Sequence, residues 1–130
     1  MFKSFITGII LLSLITSCQL SIKPETLYGK WKYVKIENNS VANTTNVTPE
    51  QLQSEEPYIK FTKDSLLIWW GGKVLSRGMY KIDGDKIQFK EILEDGKTRE
   101  FPFVVSKLDD KNLIFSTEGD DGAKVTAVKE

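Results

Sequence analysis

The sequence predicts an all-β domain, an antiparallel up-and-down meander of about eight strands that forms a small barrel. From residue 27 onward, turn residues recur at short intervals and separate segments rich in β-branched and aromatic residues. Gly71-Gly72, Asp83-Gly84 and Asp95-Gly96 predict tight hairpins, because glycine readily takes the positive φ that such turns need. The linkers are too short for parallel crossovers, so consecutive strands are predicted to be antiparallel.

Eight strands lie between these turns. They are predicted over residues 28–37, 58–62, 65–70, 74–82, 86–93, 98–107, 112–117 and 124–129. Side chains alternate between two faces along a strand, which places Ile87, Phe89 and Glu91 on one face of the fifth strand. In the sixth strand Phe101 and Phe103 share a face in the same way. One face is apolar and the other mixed, as expected for a sheet curled around a core.

The connection over residues 38–56 is longer than the others and begins with a polar, asparagine-rich stretch. It continues into Thr48-Pro49-Glu50-Gln51, which has threonine at the N-cap, proline at N1 and glutamine at N3 of a helix. We therefore expect one short helical turn over 49–53. Long loops in compact domains are often lids or binding loops, and the alternative here is a tolerated insertion.

The amino-terminal segment carries an export signal. Lys3 precedes about 11 largely apolar residues, within the range of a signal-peptide core, and the run ends in Leu14-Ile15-Thr16-Ser17-Cys18. A membrane-spanning helix would need about 20 apolar residues. The run resembles the lipobox of bacterial lipoproteins, in which the cysteine is lipidated and the chain is cut just before it. The resemblance implies a signal peptide over 1–17, a lipid-anchor tether over 18–26 and a barrel domain over 27–130.

A lipidated Cys18 would place the protein in the bacterial cell envelope. Its membrane partner would be engaged through acyl chains such as palmitate, and its folded part would lie outside the cytoplasm. The residues after Cys18 lack the acidic run that marks surface export in some lipoproteins of Bacteroides-type bacteria. We expect the outer membrane, on its periplasmic side or its surface, with the periplasmic side favoured.

Composition excludes several function classes. The 130 residues include 18 basic and 18 acidic side chains, and removal of residues 1–17 takes away only Lys3 among them. A charge near −1 gives no electrostatic footprint for nucleic acid. The chain has no histidine, the commonest general base and metal ligand, and Cys18 is its only cysteine. We therefore predict a protein that is not an enzyme and uses no metal or cofactor.

The start of the first strand supports a closer assignment. Gly29 and Trp31 resemble the Gly-x-Trp signature of lipocalins, in which the glycine lets the chain turn in under the barrel and the tryptophan closes its floor. The resemblance implies structural roles for both residues. The arginine that often packs over that tryptophan has no counterpart, since the last segment offers only Lys124 and Lys129. The chain is shorter than typical lipocalins and resembles instead the small lipocalin-like lipoproteins of Bacteroides-type bacteria.

Four residues are candidate contacts for a ligand or partner: Trp69, Trp70, Arg77 and Tyr80. Neighbouring Trp69 and Trp70 must point to opposite faces, so one ring is expected in the core and the other outside. The outer ring is expected to pack against a neighbouring strand or the long loop; the alternative is that it stacks on a sugar or a partner. Arg77 is either a buried cation that recognises an anion or, if Tyr80 points inward, a solvated outer residue.

Two clusters of acidic residues lie at predicted turns and hairpin ends. Glu91, Glu94, Asp95 and Glu100 surround one hairpin and are interpreted as solvated rather than as a catalytic carboxylate pair. The turn over residues 118–122 could offer oxygen ligands to calcium but lacks the EF-hand spacing, so a solvated turn is favoured.

Two functions remain. The first is a barrel that binds a small hydrophobic or amphipathic ligand, since eight strands enclose space for side chains or for one small ligand. The second is a packed-core interaction module that contacts another envelope protein or a glycan through its outer face and loops. A cavity favours the first, and a filled core with an exposed tryptophan favours the second.

Overall fold

A computed structural model of the protein describes residues 21–38, 47–118 and 122–130. These residues form a closed barrel of eight antiparallel strands in sequential order, in which the last strand pairs with the first. The predicted fold class is confirmed. The strands are β1 (Gly29–Asn38), β2 (Tyr58–Phe61), β3 (Ser65–Trp70), β4 (Lys73–Asp83), β5 (Lys86–Ile92), β6 (Thr98–Leu108), β7 (Asn112–Thr117) and β8 (Ala123–Lys129).

The barrel has two distinct ends. Strand direction alternates, so one end contains the starts of β1, β3, β5 and β7, and the other contains their last residues. We call the first end the floor and the second the mouth. A short helix, α1 (Pro24–Leu27), precedes β1 at the floor, and a second helix, α2 (Pro49–Glu55), lies between β1 and β2 at the mouth.

The helix at the mouth starts where the sequence predicts. The Thr48 hydroxyl accepts a hydrogen bond from the Gln51 amide, and the Gln51 side chain accepts one from the Thr48 amide. The helix runs to Glu55, two residues beyond the expected 53, because Leu52 is buried in the core and the Glu55 carbonyl accepts from the Gly71 amide at 2.9 Å. The predicted loop over residues 39–46 lies outside the described residues.

The floor contains a helix that the sequence analysis missed. Residues 18–26 were expected to be a tether, yet α1 begins at Pro24, and both Ile22 and Leu27 are buried. Two apolar side chains in an otherwise polar segment were the available signal. Their burial means that the folded part of the chain starts upstream of the predicted residue 27.

Register shifts between paired strands change the face to which individual side chains point. A shift between Ile68 and Trp69 opposes two residues of β3 to three of β4. It leaves Val74 and Leu75 both exposed, so that Val74 does not continue the inward face of Gly78 and Tyr80. Bulges of this kind insert an unpaired residue and increase local twist, so alternation cannot be extended across them.

Candidate functional site

The floor is sealed by an aromatic ring and a cation. Trp31 is fully buried and donates through Nε1 to the Leu27 carbonyl at 2.8 Å. The Lys129 ammonium lies 4.6 Å from the Trp31 ring centroid and donates to the carbonyl oxygens of Tyr28 and, at 3.4 Å, Thr26. Lys129 therefore occupies the place over the tryptophan for which the sequence offered no arginine. Gly29 has φ +118° directly beside Lys129.

Large apolar side chains fill the floor half and the middle of the barrel. Phe103 lies 5.6 Å from Phe89 and 5.0 Å from Phe115, between ring centroids, and Tyr33 meets Phe115 edge-on at 6.2 Å. These four rings are all buried, as is Phe61. The packed interior leaves the mouth as the end at which a ligand can enter.

A polar cluster lies on the inner face at the mouth. The Glu91 side chain is only 11% exposed. Its Oε1 accepts from Arg99 Nε at 3.0 Å and also from Arg99 Nη2, while its Oε2 accepts from the Ser76 hydroxyl. A buried carboxylate is very costly unless it is paired and hydrogen-bonded, and these donors meet that requirement.

The barrel register brings these three residues together. Glu91 stands opposite Arg99 across β5 and β6, so both side chains share the inner face. On its other side Glu91 stands opposite Gly78 of β4, where any Cβ would collide with the Lys90 carbonyl oxygen. This close approach of the two strands lets Ser76, two residues before Gly78, reach the Glu91 carboxylate.

Arg99 borders a depression at the rim. Its guanidinium carbon lies 5.4 Å from the Phe101 ring centroid, and 61% of its side chain is exposed. This rim depression has a volume of about 430 Å³. A second depression, of about 700 Å³, lies on the outside of β4 and β5. The lining of the rim depression is Arg99, Glu100, Phe101, Pro102, Thr117 and Glu118. Its size lies within the range of small-molecule sites.

The structure disperses the four candidate contact residues. Trp69 is half-buried on the outer face and stacks on Tyr58, with ring centroids 5.8 Å apart. Trp70 packs against the core from the mouth.

Arg77 is exposed on the outer face, while Tyr80 is buried and donates to the Thr62 carbonyl at 2.6 Å. Arg77 is therefore not an interior cation, and Tyr80 is a core residue. Cys18 lies outside the described residues.

Sequence reasoning misplaced the important carboxylate. Glu91 was grouped with the solvated residues of its hairpin, but it points into the barrel, whereas Glu94, Asp95 and Glu100 are exposed. The signal was present, because alternation already put Glu91 on the face of Ile87 and Phe89. The partner was signalled too, since Arg99 stands two residues before inward-facing Phe101.

Other features carry less chemistry. Within the described residues, no three acidic, histidine or cysteine side chains cluster as metal ligands would. The acidic turn proposed as an alternative calcium site lies partly outside those residues. In the same part of the chain no helix has the length and apolar character needed to cross a membrane.

The closed, antiparallel eight-stranded meander is a lipocalin-like barrel. Solved structures agree: a lipocalin-like protein from Bacteroides uniformis ATCC 8492 is similar with a TM-score of 0.57 and 18% identity, over 81% of this chain and 99% of that chain. An uncharacterized protein from Bacteroides eggerthii DSM 20697 is similar with a TM-score of 0.56 and 21% identity, over 80% of this chain and 99% of that chain. No protein-family model and no curated protein matches the sequence.

Proposed function

We propose that this protein is a non-enzymatic lipoprotein of the bacterial cell envelope that binds a small amphipathic ligand at the mouth of its barrel. The observation that carries the proposal is the buried Glu91 carboxylate, held by Arg99 and Ser76 beside the rim depression of about 430 Å³. Small-molecule sites are typically apolar concavities that contain a few precisely placed polar groups. The rim depression has both components.

The packing of the interior limits how deeply a ligand enters. Phe89, Phe103 and Phe115 fill the middle of the barrel, so the ligand is a shallow one. Its apolar part would lie against Phe101 and Pro102, which line the depression, and its polar end would face the Glu91–Arg99 pair. An aliphatic chain gains about 0.8 kcal/mol for each CH₂ group that it buries.

The anchor is a separate part of the proposal and rests on the lipobox-like run that ends at Cys18. One acyl chain holds a protein to a membrane only marginally, whereas two or more hold it firmly. Metabolic labelling with a palmitate analogue tests this directly. The wild-type chain should be labelled and sediment with membranes, and a Cys18→Ala variant should be neither.

Native mass spectrometry of the protein isolated from its own envelope tests the binding function. Comparison of intact and denatured masses should reveal a released small molecule. Thr117→Trp would fill the rim depression and should prevent capture, while Ser116→Trp, which points to the opposite face of β7, should leave capture intact. Equal capture by both variants, or a wild-type chain that binds no amphiphile on addition, would contradict the proposal.

A second candidate function has its own observation. Leu75, Met79 and Ile92 are exposed apolar side chains on the outer face of β4 and β5, at 60%, 54% and 42% exposure. Met79 and Ile92 line one surface depression together, and exposed apolar patches often mark interaction sites. If the protein instead acts as an interaction module, crosslinking in the native envelope should yield one defined complex. A Leu75→Lys, Met79→Lys variant should lose that complex while the mouth variant Thr117→Trp keeps it.

A further inference from the structure

Arg99 is held in one orientation by its neighbours. Its Nε and Nη2 both donate to the same oxygen of Glu91, and that carboxylate is itself fixed by Ser76. The guanidinium also lies against the Phe101 ring. A buried carboxylate and an aromatic ring therefore position this arginine before any ligand arrives.

The exposed hydrogen-bonding groups of the Glu91–Arg99 pair are the donors of Arg99, because the Glu91 side chain is only 11% exposed. An arginine has five N–H groups in a fixed planar fork, and the bonds to Glu91 use two of them. Of the remaining three, one on Nη1 and one on Nη2 form a second edge that Glu91 does not use, on a side chain that is 61% exposed. In contrast, both oxygens of Glu91 already accept hydrogen bonds.

Among the described residues that line the rim depression, Arg99 is the only cation, so the attraction for an anionic group there comes from its free edge alone. Glu100 and Glu118 border the depression, and Glu100 alternates with inward-facing Arg99 and Phe101, so its carboxylate belongs to the outer face. Both are exposed to water, which screens their charge. A guanidinium edge binds carboxylates in a bidentate manner and therefore adds geometric specificity.

We infer that the ligand of this barrel is an amphipathic carboxylate whose head group binds the free Nη1–Nη2 edge of Arg99, with its chain against Phe101. This inference rests on the proposed binding function and specifies the chemistry of the ligand. Glu91 is then a positioning residue, since it acts through Arg99 and does not touch the head group.

Three probes of equal chain length separate head-group chemistry from apolar binding. We would measure dissociation constants for dodecanoate, dodecanol and dodecylamine, each below its aggregation concentration, by displacement of a fluorescent apolar dye. Wild-type protein should bind dodecanoate at least about tenfold more tightly than dodecanol, as expected for hydrogen bonds between charged partners. Arg99→Gln should remove that preference and leave dodecanol binding unchanged.

Matched variants exclude a general charge effect. Arg77→Gln makes the same change in charge on the outer face of β4 and should keep the full preference for dodecanoate. Glu91→Gln retains an accepting oxygen for Arg99 but removes the compensating negative charge, so dodecanoate binding should be kept or strengthened. Arg99→Lys preserves the ion pair without the planar second edge and should lose most of the preference, which provides a test even if Arg99→Gln does not fold.

Each contrary result has one meaning. Equal binding of dodecanoate and dodecanol by the wild type, or equal losses in Arg99→Gln and Arg77→Gln, would overturn the inference while the proposed binding function stands. Preference for dodecylamine that disappears in Glu91→Gln would overturn it in favour of a cationic head group on Glu91. Failure of all three probes to bind the wild type would overturn both the inference and the proposed function.

Discussion

The two ends of the barrel are built from similar components and behave differently. Each has a short helix, an aromatic ring and a cation against that ring: Trp31 and Lys129 at the floor, Phe101 and Arg99 at the mouth. At the floor the ammonium donates to main-chain carbonyls of the segment that covers it. At the mouth the guanidinium donates to one buried carboxylate and keeps an edge in solvent.

The difference lies in the location of the hydrogen-bond acceptors, which covers the tryptophan at the floor and leaves Arg99 largely exposed at the mouth. Backbone carbonyls fix the half-buried Lys129 over the fully buried Trp31 ring, so the floor contributes stability. At the mouth the buried Glu91 carboxylate binds one edge of the Arg99 guanidinium, so the N–H groups on the other edge remain available. Substitutions at the two ends can break this contrast.

Removal of the floor tryptophan should have the largest effect. Trp31→Ala deletes a fully buried ring and its hydrogen bond to Leu27, and such truncations cost about 3–5 kcal/mol. Trp70→Ala removes a half-buried ring of the same size from the mouth and should cost about 1–2 kcal/mol. Guanidinium unfolding of both variants measures the difference, and equal losses would mean that the two ends contribute alike.

Alanine at a glycine of each end should separate a packed site from an open one. At Gly29, φ is +118° and a Cβ would lie 2.9 Å from Lys129 Cε, so Gly29→Ala combines backbone strain with displacement of Lys129. At Gly72, in the β3–β4 turn of the mouth, φ is +85° and a Cβ would meet nothing within 4 Å.

We expect losses of about 2–3 kcal/mol for Gly29→Ala and about 1 kcal/mol for Gly72→Ala. Urea unfolding at neutral pH is the measurement. A larger loss at Gly72 would show that the contact between Gly29 and Lys129 is unimportant for the floor.

Sequence predicted the framework of both ends but not their chemistry. The bounds of β3 and β7 and the capped start of α2 follow from turn residues and the capping box, which are local signals. The alternation of inward and outward side chains can also be predicted from sequence, up to the point where a bulge interrupts it, as between Ile68 and Trp69. Whether a bulge occurs depends on twist and closure of the whole barrel, which no short window of residues contains.

Prediction of the Glu91–Arg99–Ser76 cluster would have required the register between neighbouring strands. Alternation put Glu91 on the core face, but hairpin ends are usually solvated, and that general tendency outweighed the specific pattern. The pairing of Glu91 with Arg99 and the contact with Ser76 depend on how three strands align. Lys129 over Trp31 is another example, because it joins residues from opposite ends of the described chain.

The buried tyrosines of the interior should make the fold sensitive to alkali. Burial raises the pKa of Tyr33 far above its usual value, and burial, aided by nearby Tyr28 and Asp64, raises the pKa of Tyr80 to about 12. The native state therefore holds these protons more tightly than the unfolded state. This stabilisation is complete below pH 10, where tyrosine normally ionises, and is lost as the pH rises through the native pKa values.

We expect the free energy of unfolding to fall above about pH 10, by up to about 1.4 kcal/mol per pH unit for Tyr33. Urea midpoints at pH 8, 10 and 11 measure this slope. Tyr33→Phe should flatten it, whereas Phe115→Leu, a change in the neighbouring ring, should lower stability equally at each pH. An unchanged slope in Tyr33→Phe would contradict the assignment.

The smallest effect should come from the helix at the mouth. Thr48→Ala removes the hydroxyl that accepts from the Gln51 amide at 3.2 Å, and loss of such a cap costs about 1 kcal/mol. Ser54→Ala is the control, since its exposed hydroxyl only donates to the Gln51 carbonyl within the same helix.

Thr48→Ala should speed amide exchange in α2 and in Gly71, which donates to the Glu55 carbonyl, without changing exchange at Trp31. Faster exchange at Trp31 would instead show that the two ends unfold together, and that the mouth cannot open while the floor stays closed.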